Sequence, residues 1–288
     1  MDSITIRVPG TTANLGPGYD CLGVALRLYN QVTLRRTRPE GKLPPIVEQA
    51  ARLFFETAGE KPFAFDWAIR GDVPQARGLG SSVTVRLGVL HGLNTLAGRP
   101  LDREEIFMLC TELEGHPDNA APAEFGGFTV AGNESCLAFP VDRELKFVLL
   151  IPDFEVATPD ARRVLPETVP HAGAVTSAAN AARITAAFAA RHYEALEGCF
   201  EDHLHQPHRQ PLIPFLPAVI AAGEKAGAIG GFLSGSGSTI ACLTLEAEEA
   251  VAAAMRKAAG VPGARTLIVE ADNDGVRIGD GKKPGKKG

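Results

Sequence analysis

Pro74-Gln75-Ala76-Arg77-Gly78-Leu79-Gly80-Ser81-Ser82-Val83-Thr84 is a glycine loop that joins a candidate strand to a candidate helix. On its N-terminal side Phe63, Phe65, Trp67 and Ile69 recur with period two, as in a half-buried strand. On its C-terminal side the run Val83 to Leu96 has helical character and stops at Gly98-Arg99-Pro100. Strand, glycine loop and helix in this order aim backbone N–H groups and a positive helix terminus at one point, which suits a phosphate. Glycines permit positive φ and close approach of an anion, and the Ser81 and Ser82 hydroxyls suit phosphate oxygen or magnesium. The loop has no lysine and no third spaced glycine, so it is neither the Gly-x-x-x-x-Gly-Lys-Ser/Thr loop nor the dinucleotide fingerprint. By itself it reads equally well as a tight turn ahead of a serine-capped helix.

Outward from the loop, the flanking segments are unusually polar. Ile4, Ile6 and Val8 alternate as a strand that Pro9-Gly10 ends, delivering the loop Asn14-Leu15-Gly16-Pro17-Gly18-Tyr19-Asp20. A second alternation surrounds Val32 and Leu34, and Ile46, Val47, Ala50, Leu53 and Phe54 recur at helical spacing. Asp102 and Glu105 have capping-box spacing, so a helix runs from Arg103 to about Leu113 and ends beside Glu114-Gly115-His116-Pro117-Asp118-Asn119. That density of polar groups suits a site, although a lone histidine is more often a structural hydrogen-bonding residue than a base. Glu112 and Glu114 point in different directions if the helix continues, so one of them reaches a metal ion.

Strands are expected at Phe125 to Val130 and Lys146 to Ile151, followed by an alanine-rich helical stretch through Glu197. Helix Ile213 to Ala226, the glycine-dense Gly227 to Gly237, strand Thr239 to Leu245, helix Ala247 to Ala259 and strand Arg265 to Ala271 suggest a second alternating unit. The domain boundary is placed near residue 152, giving units 1–152 and 153–279, with a disordered basic tail over 280–288. The third glycine loop, Gly230 to Ser238, offers room for a ligand against its backbone, or is a flexible connector. His203, His205 and His208 invite a metal reading, but no cysteine is near, His-Glu-x-x-His spacing is missing and Pro207 interrupts the helix.

Composition excludes several classes. The chain has 288 residues, 22% charged, and a net charge of -5 that includes the basic tail, so a nucleic-acid partner is not expected. Five scattered cysteines suggest neither a disulfide framework nor a zinc knuckle, and point to buried thiols in a reducing cytosol. No apolar run is long enough to span a bilayer and no export signal opens the chain, so a cytoplasmic protein without membrane attachment is expected.

Taken together, Pro9 to Asp20, Pro74 to Thr84, Glu114 to Asn119 and Leu233 to Ser238 resemble the signature segments of the GHMP kinase superfamily, with Glu-Gly-His-Pro-Asp-Asn the most discriminating. Within it they resemble most closely the branch that phosphorylates L-homoserine. The resemblance implies an α+β fold of two domains: an N-terminal nucleotide-binding domain and a ferredoxin-like C-terminal one, with the site between them. It implies ATP with Mg2+ as donor, L-homoserine as acceptor in threonine biosynthesis, and a homodimer. By the same resemblance Asn14, Asp20, His116, Arg162 and Arg209 bind the amino acid, the two arginines addressing its carboxylate. Pro74 to Thr84 bind ATP, Ser82 and Glu112 hold the metal, and Thr158 orients the attacking hydroxyl. Asp20 is a binding group first and a general base only secondarily, because a loose phosphoryl-transfer transition state asks little of a base. Two departures stand out: the resembled segments carry small residues where Val83 and Arg86 stand, and proline where Ser238 stands. Arg86 faces a nucleotide phosphate or lies on the helix surface. Other readings are a related kinase with a mevalonate-like acceptor, or a catalytically silent ligand sensor on the same fold.

Overall fold

The computed structural model describes residues 2–132 and 135–279; the tail expected over 280–288 lies outside them. Strands β1 (Ser3–Ala13) and β2 (Leu22–Arg35) pair antiparallel along almost their whole length. Ile4, Ile6 and Val8 turn inward as their alternation requires. Pro9-Gly10 does not end β1: the register shifts there, and the strand continues to Ala13. A bulge absorbs the proline, which has no N–H to give to the ladder.

Helix α1 (Pro45–Ala58) ends on Gly59, and β3 (Asp66–Gly71) pairs with β2, starting three residues after the Phe63 expected to open it. Helix α2 (Ser81–Leu96) buries Val83, Leu87, Leu90 and Leu93 against β1, β2 and α1. Burial of each such side chain is worth roughly 1.5–3 kcal/mol, enough to seat the helix that carries the glycine loop. Helix α3 (Arg103–Glu114) has the expected capping box, both halves of it formed, and stops at Gly115 with φ 81°.

The strand expected to begin at Phe125 is instead a short helix, α4 (Ala120–Phe125), followed by β4 (Phe128–Ala131) and β5 (Cys136–Phe139). Pro122 sits in the first turn of α4, where a missing N–H costs no helical bond. These strands complete a sheet of order β10-β1-β2-β4-β5, with β3 also on β2, where β10 is Arg277–Gly279.

The second sheet has the order β7-β8-β6-β9, built from β6 (Lys146–Ile151), β7 (Gly230–Leu233), β8 (Ile240–Thr244) and β9 (Arg265–Val269), every pair antiparallel. Helices α5 (Thr158–Arg163), α6 (His171–Ala190), α7 (Gln206–Arg209), α8 (Leu216–Lys225) and α9 (Glu248–Ala259) complete this half. A cut at residue 152 would part β6 from both its neighbours, since the change of sheet falls before Lys146, and β10 carries the chain back to β1. The halves share one apolar core in which Phe128 stacks on Phe188 with centroids 4.2 Å apart. That shared core holds the loops of the two sheets face to face across a cleft.

Candidate active site

The glycine loop forms one wall of this cleft, whose volume is about 710 Å3. Gly78 and Gly80 have φ of 71° and 68°, and neither has room for a side chain. A Cβ on Gly78 would lie 2.1 Å from the Ser234 carbonyl oxygen, and one on Gly80 would lie 2.1 Å from Thr11 Oγ1. The loop is thus clamped between β1 and the third glycine loop, with the Leu79 carbonyl accepting from Thr11 N at 3.1 Å and the Gly78 carbonyl from Ser234 Oγ at 2.6 Å. Gln75 to Ser82 face the cleft. Pro74, Val83 and Thr84 do not: helical phase turns Val83 and Thr84 into the core, where the Thr84 hydroxyl donates to the Ser81 carbonyl.

Beyond the loop the cleft ends in an apolar recess whose walls include Pro44, Ile46, Trp67, Ile69 and Val85. Sequence periodicity marked Trp67 and Ile69 as strand residues and gave no reason to set them beside the loop.

Asn14, Asp20, His116, Thr158, Arg162 and Arg209 all line the opposite side. Asn14 is buried with φ 71°; its Oδ1 accepts from Asp20 N at 3.0 Å and its Nδ2 donates to the Gly235 carbonyl. Asp20 receives Arg162 as a two-pronged pair, Nη2 to Oδ1 at 2.8 Å and Nη1 to Oδ2 at 3.1 Å. Burial would lower the Arg162 pKa, but the hydrogen bond and charge of Asp20 outweigh it and raise it. Arg209 is 2% exposed and reaches from α7 to helix α5 and the third glycine loop, donating to the carbonyls of Ala161 and Gly235. Its Nη2 makes no hydrogen bond among the described residues and remains available to an anion. Tyr19 lies under both guanidinium groups, 5.5 and 5.2 Å from its ring centre, and so spaces them.

His205 reports the state of this corner. It is fully buried, its Nε2 donates to the Gly16 carbonyl at 2.8 Å, and its Nδ1 accepts from Arg209. Burial drives its pKa down to about 4, with the Arg209 charge adding to that and Asp202 opposing it. The histidine is therefore a neutral strut, and the metal reading of its segment fails because both ring nitrogens are engaged.

His116 is set differently. Its Nδ1 lies 2.5 Å from Asp118 Oδ1, which frees Nε2. Burial works against its cation, yet the hydrogen bond to Asp118 and the charges of Asp118 and Asp20 prevail and hold its pKa above the usual value. Asp20, His116 and Asp118 offer three ligand atoms within 4.8 Å of one another, but Asp20 is paired with Arg162 and Asp118 with His116 Nδ1, which leaves His116 Nε2 uncommitted.

The carboxylate that meets Ser82 is Glu114, not Glu112. Glu112 is exposed and lies outside the cleft, whereas Glu114, two residues on and about 200° around α3, accepts from Ser82 Oγ at 3.0 Å. Its other oxygen is buried, 2.7 Å from Arg86 Nη1 but without an aligned hydrogen bond. Burial raises the Glu114 pKa, opposed by the Arg86 charge and the Ser82 hydroxyl. An underused carboxylate beside a hydroxyl, both lining the cleft with the glycine loop, is a donor set that fits a hard divalent cation. Arg86 is turned behind Glu114 and does not line the cleft.

Comparison with known proteins agrees with this geometry. The model of the GHMP kinases N terminal domain matches residues 45–127, and that of the GHMP kinases C terminal matches residues 178–261. A homoserine kinase of Carboxydothermus hydrogenoformans is 39% identical over 261 residues, which are 84% of this chain and 86% of that protein. One of Thermus thermophilus is 38% identical over 281 residues, 93% of this chain and 96% of its own. A crystal structure of homoserine kinase from Cytophaga hutchinsonii superposes with a TM-score of 0.87 at 27% identity, covering 96% of this chain and 98% of that one. A mevalonate kinase structure shares the fold at a TM-score of 0.71 and 15% identity. Fold, cleft and both family models define the class as a GHMP kinase, an ATP-dependent kinase of small molecules. Within that class the chain belongs to the homoserine kinase family. Among the described residues no helix is long and apolar enough to cross a membrane.

Proposed function

We propose that the protein transfers the γ-phosphoryl group of ATP to the side-chain hydroxyl of L-homoserine, releasing ADP and O-phospho-L-homoserine. The observation that carries the acceptor is the paired Asp20 and Arg162 beside Arg209. A zwitterion completes such a pair as an alternating square of charges, its α-ammonium on Asp20 and its α-carboxylate on Arg162 and the free Nη2 of Arg209. An acceptor with a carboxylate but no amine leaves Asp20 unanswered. Asn14 fixes the backbone of Asp20, His116 presents Nε2 to the acceptor, and Thr158, at the first turn of α5, orients the hydroxyl.

On the donor side the backbone of Gly78 to Ser82 and the start of α2 take the phosphates, and the recess around Trp67 and Ile69 takes the adenine. Ser82 and Glu114 would hold Mg2+, which neutralises phosphate charge as it develops. Catalysis then rests on positioning two reactants in line, with no dedicated base. The five cysteines carry free thiols, in keeping with a cytoplasmic setting, and a homodimer belongs to the same reading through the family.

ADP release with ATP and Mg2+ across L-homoserine, mevalonate, galactose, shikimate and 4-hydroxybutyrate tests the acceptor. Turnover is expected with homoserine, with 4-hydroxybutyrate at least 100-fold worse in kcat/KM for want of the amine. Release with mevalonate alone, or with none of the five, overturns the proposal.

A further inference from the structure

Arg86 stands where the resembled segments carry a small residue, and it does not touch the cleft. It lies four residues after Ser82, so the two side chains rise from the same face of α2 one turn apart. Glu114, the last residue of α3, reaches both: Oε2 to the Ser82 hydroxyl at 3.0 Å, and Oε1 toward Arg86 Nη1 at 2.7 Å. The same Nη1 donates to the Leu113 carbonyl, one of the last carbonyls of α3, which has no partner inside the helix. One guanidinium thereby ties the end of α3 to α2 and sets its charge behind the carboxylate. The Arg86 and Glu114 side chains are only 14% and 9% exposed, so water does not compete for the contact.

We propose that Arg86 is a positioning residue: it locks the Glu114 carboxylate in the orientation that presents Oε2, beside Ser82, to the divalent cation accompanying ATP. The inference rests on the reading that Ser82 and Glu114 hold that cation. A glutamate has three rotatable bonds, and fixing them at the moment of binding costs affinity that Arg86 removes in advance. Partners of this kind behind a metal ligand typically change metal affinity by about 10- to 100-fold. The guanidinium also repels a cation, a repulsion that the phosphates of the nucleotide offset, so the gain from positioning is read with the nucleotide bound.

The test is calorimetric, on the full chain. Affinity for the non-hydrolysable analogue AMP-PNP is measured with excess Mn2+ and with EDTA, and the ratio reports what the protein-held cation adds. In Arg86→Met the ratio is expected to fall about tenfold, with the affinity in EDTA within twofold of wild type. Arg86→Gln keeps a donor for the Leu113 carbonyl, and hence the tie between helices, yet is expected to show the same fall; it decides the matter if Arg86→Met does not fold. Arg86→Lys is expected to recover the ratio to within about threefold. An unchanged ratio in Arg86→Met or Arg86→Gln, including one in which both affinities fall together, overturns the inference. Glu114→Gln separates the two layers: a lowered ratio there with an unchanged one in the Arg86 variants sinks only the role of Arg86. An unchanged ratio in Glu114→Gln sinks the metal reading and the inference with it.

Discussion

Replacing Asp20 by Asn removes one charge from the acceptor pocket and preserves its shape. In the native protein Asp20 binds Arg162 through both oxygens, at 2.8 and 3.1 Å, with the partners 31% and 37% exposed. Two unit charges about 3 Å apart interact by about 1.4 kcal/mol at the dielectric of water and about 5.5 kcal/mol at an effective value near 20. The half-open position discounts the upper figure, leaving about 2–3 kcal/mol for each charge that Asp20 answers. The acceptor's ammonium loses that much, so kcat/KM for L-homoserine should fall about 30- to 150-fold, carried mostly by KM. The KM for ATP should stay within about twofold, because the polar partners of Asp20 are Asn14 and Arg162 and not the glycine loop. Steady-state ADP release at saturating ATP and Mg2+, varying L-homoserine, separates the two terms. If kcat instead drops 100-fold or more with KM for homoserine unchanged, Asp20 acts on the proton of the attacking hydroxyl and the assignment to binding is wrong.

The loop and the buried histidine give further expectations. Gly80→Ala puts a methyl group at φ 68° against Thr11 Oγ1, which itself donates to Asn119 at 2.6 Å. It should cost about 1–3 kcal/mol of stability and weaken AMP-PNP binding at least tenfold; native affinity in calorimetry would show that the loop does not hold phosphate through this shape. His205 titrates near 4 when folded against 6.5 in the ordinary state, so the unfolded chain takes up its proton first as pH falls. Its contribution to stability is complete above about pH 6.5 and shrinks toward pH 4, by about 2 kcal/mol at pH 5. Urea unfolding of wild type and His205→Asn at pH 7 and 5 checks the sign, and an equal loss in both proteins would exclude it.

What the sequence disclosed was local. Glycine and serine chemistry between a strand and a helix singled out the loop that lines the cleft, and the capping box gave the start of α3 to the residue. The choice between Glu112 and Glu114 was not local. It depends on which side of α3 faces α2, and that is set by the packing of Ile106 and Cys110 into the core. Strand β1 outran its expected end because a bulge accommodates Pro9, a solution that depends on the partner strand β2. Most of the proposed acceptor pocket was beyond any spacing argument: Asp20 and Arg162 lie 142 positions apart, and only the fold makes them a pair. The resemblance to the GHMP kinases named both residues, while their mutual grip became visible only in three dimensions.

The clamp on the glycine loop has a consequence for the newly made chain. The Ser234 hydroxyl that fixes the Gly78 carbonyl comes 156 residues later, and Thr239 N, which donates to the Arg77 carbonyl, later still. At about 5–20 residues per second the ribosome needs roughly 10–30 s to deliver them. For that interval the nascent chain carries the loop as text without its second wall. On the proposed reading of the loop, nucleotide binding is therefore acquired late, as a property of the finished polypeptide, and the first 150 residues released alone would not inherit it.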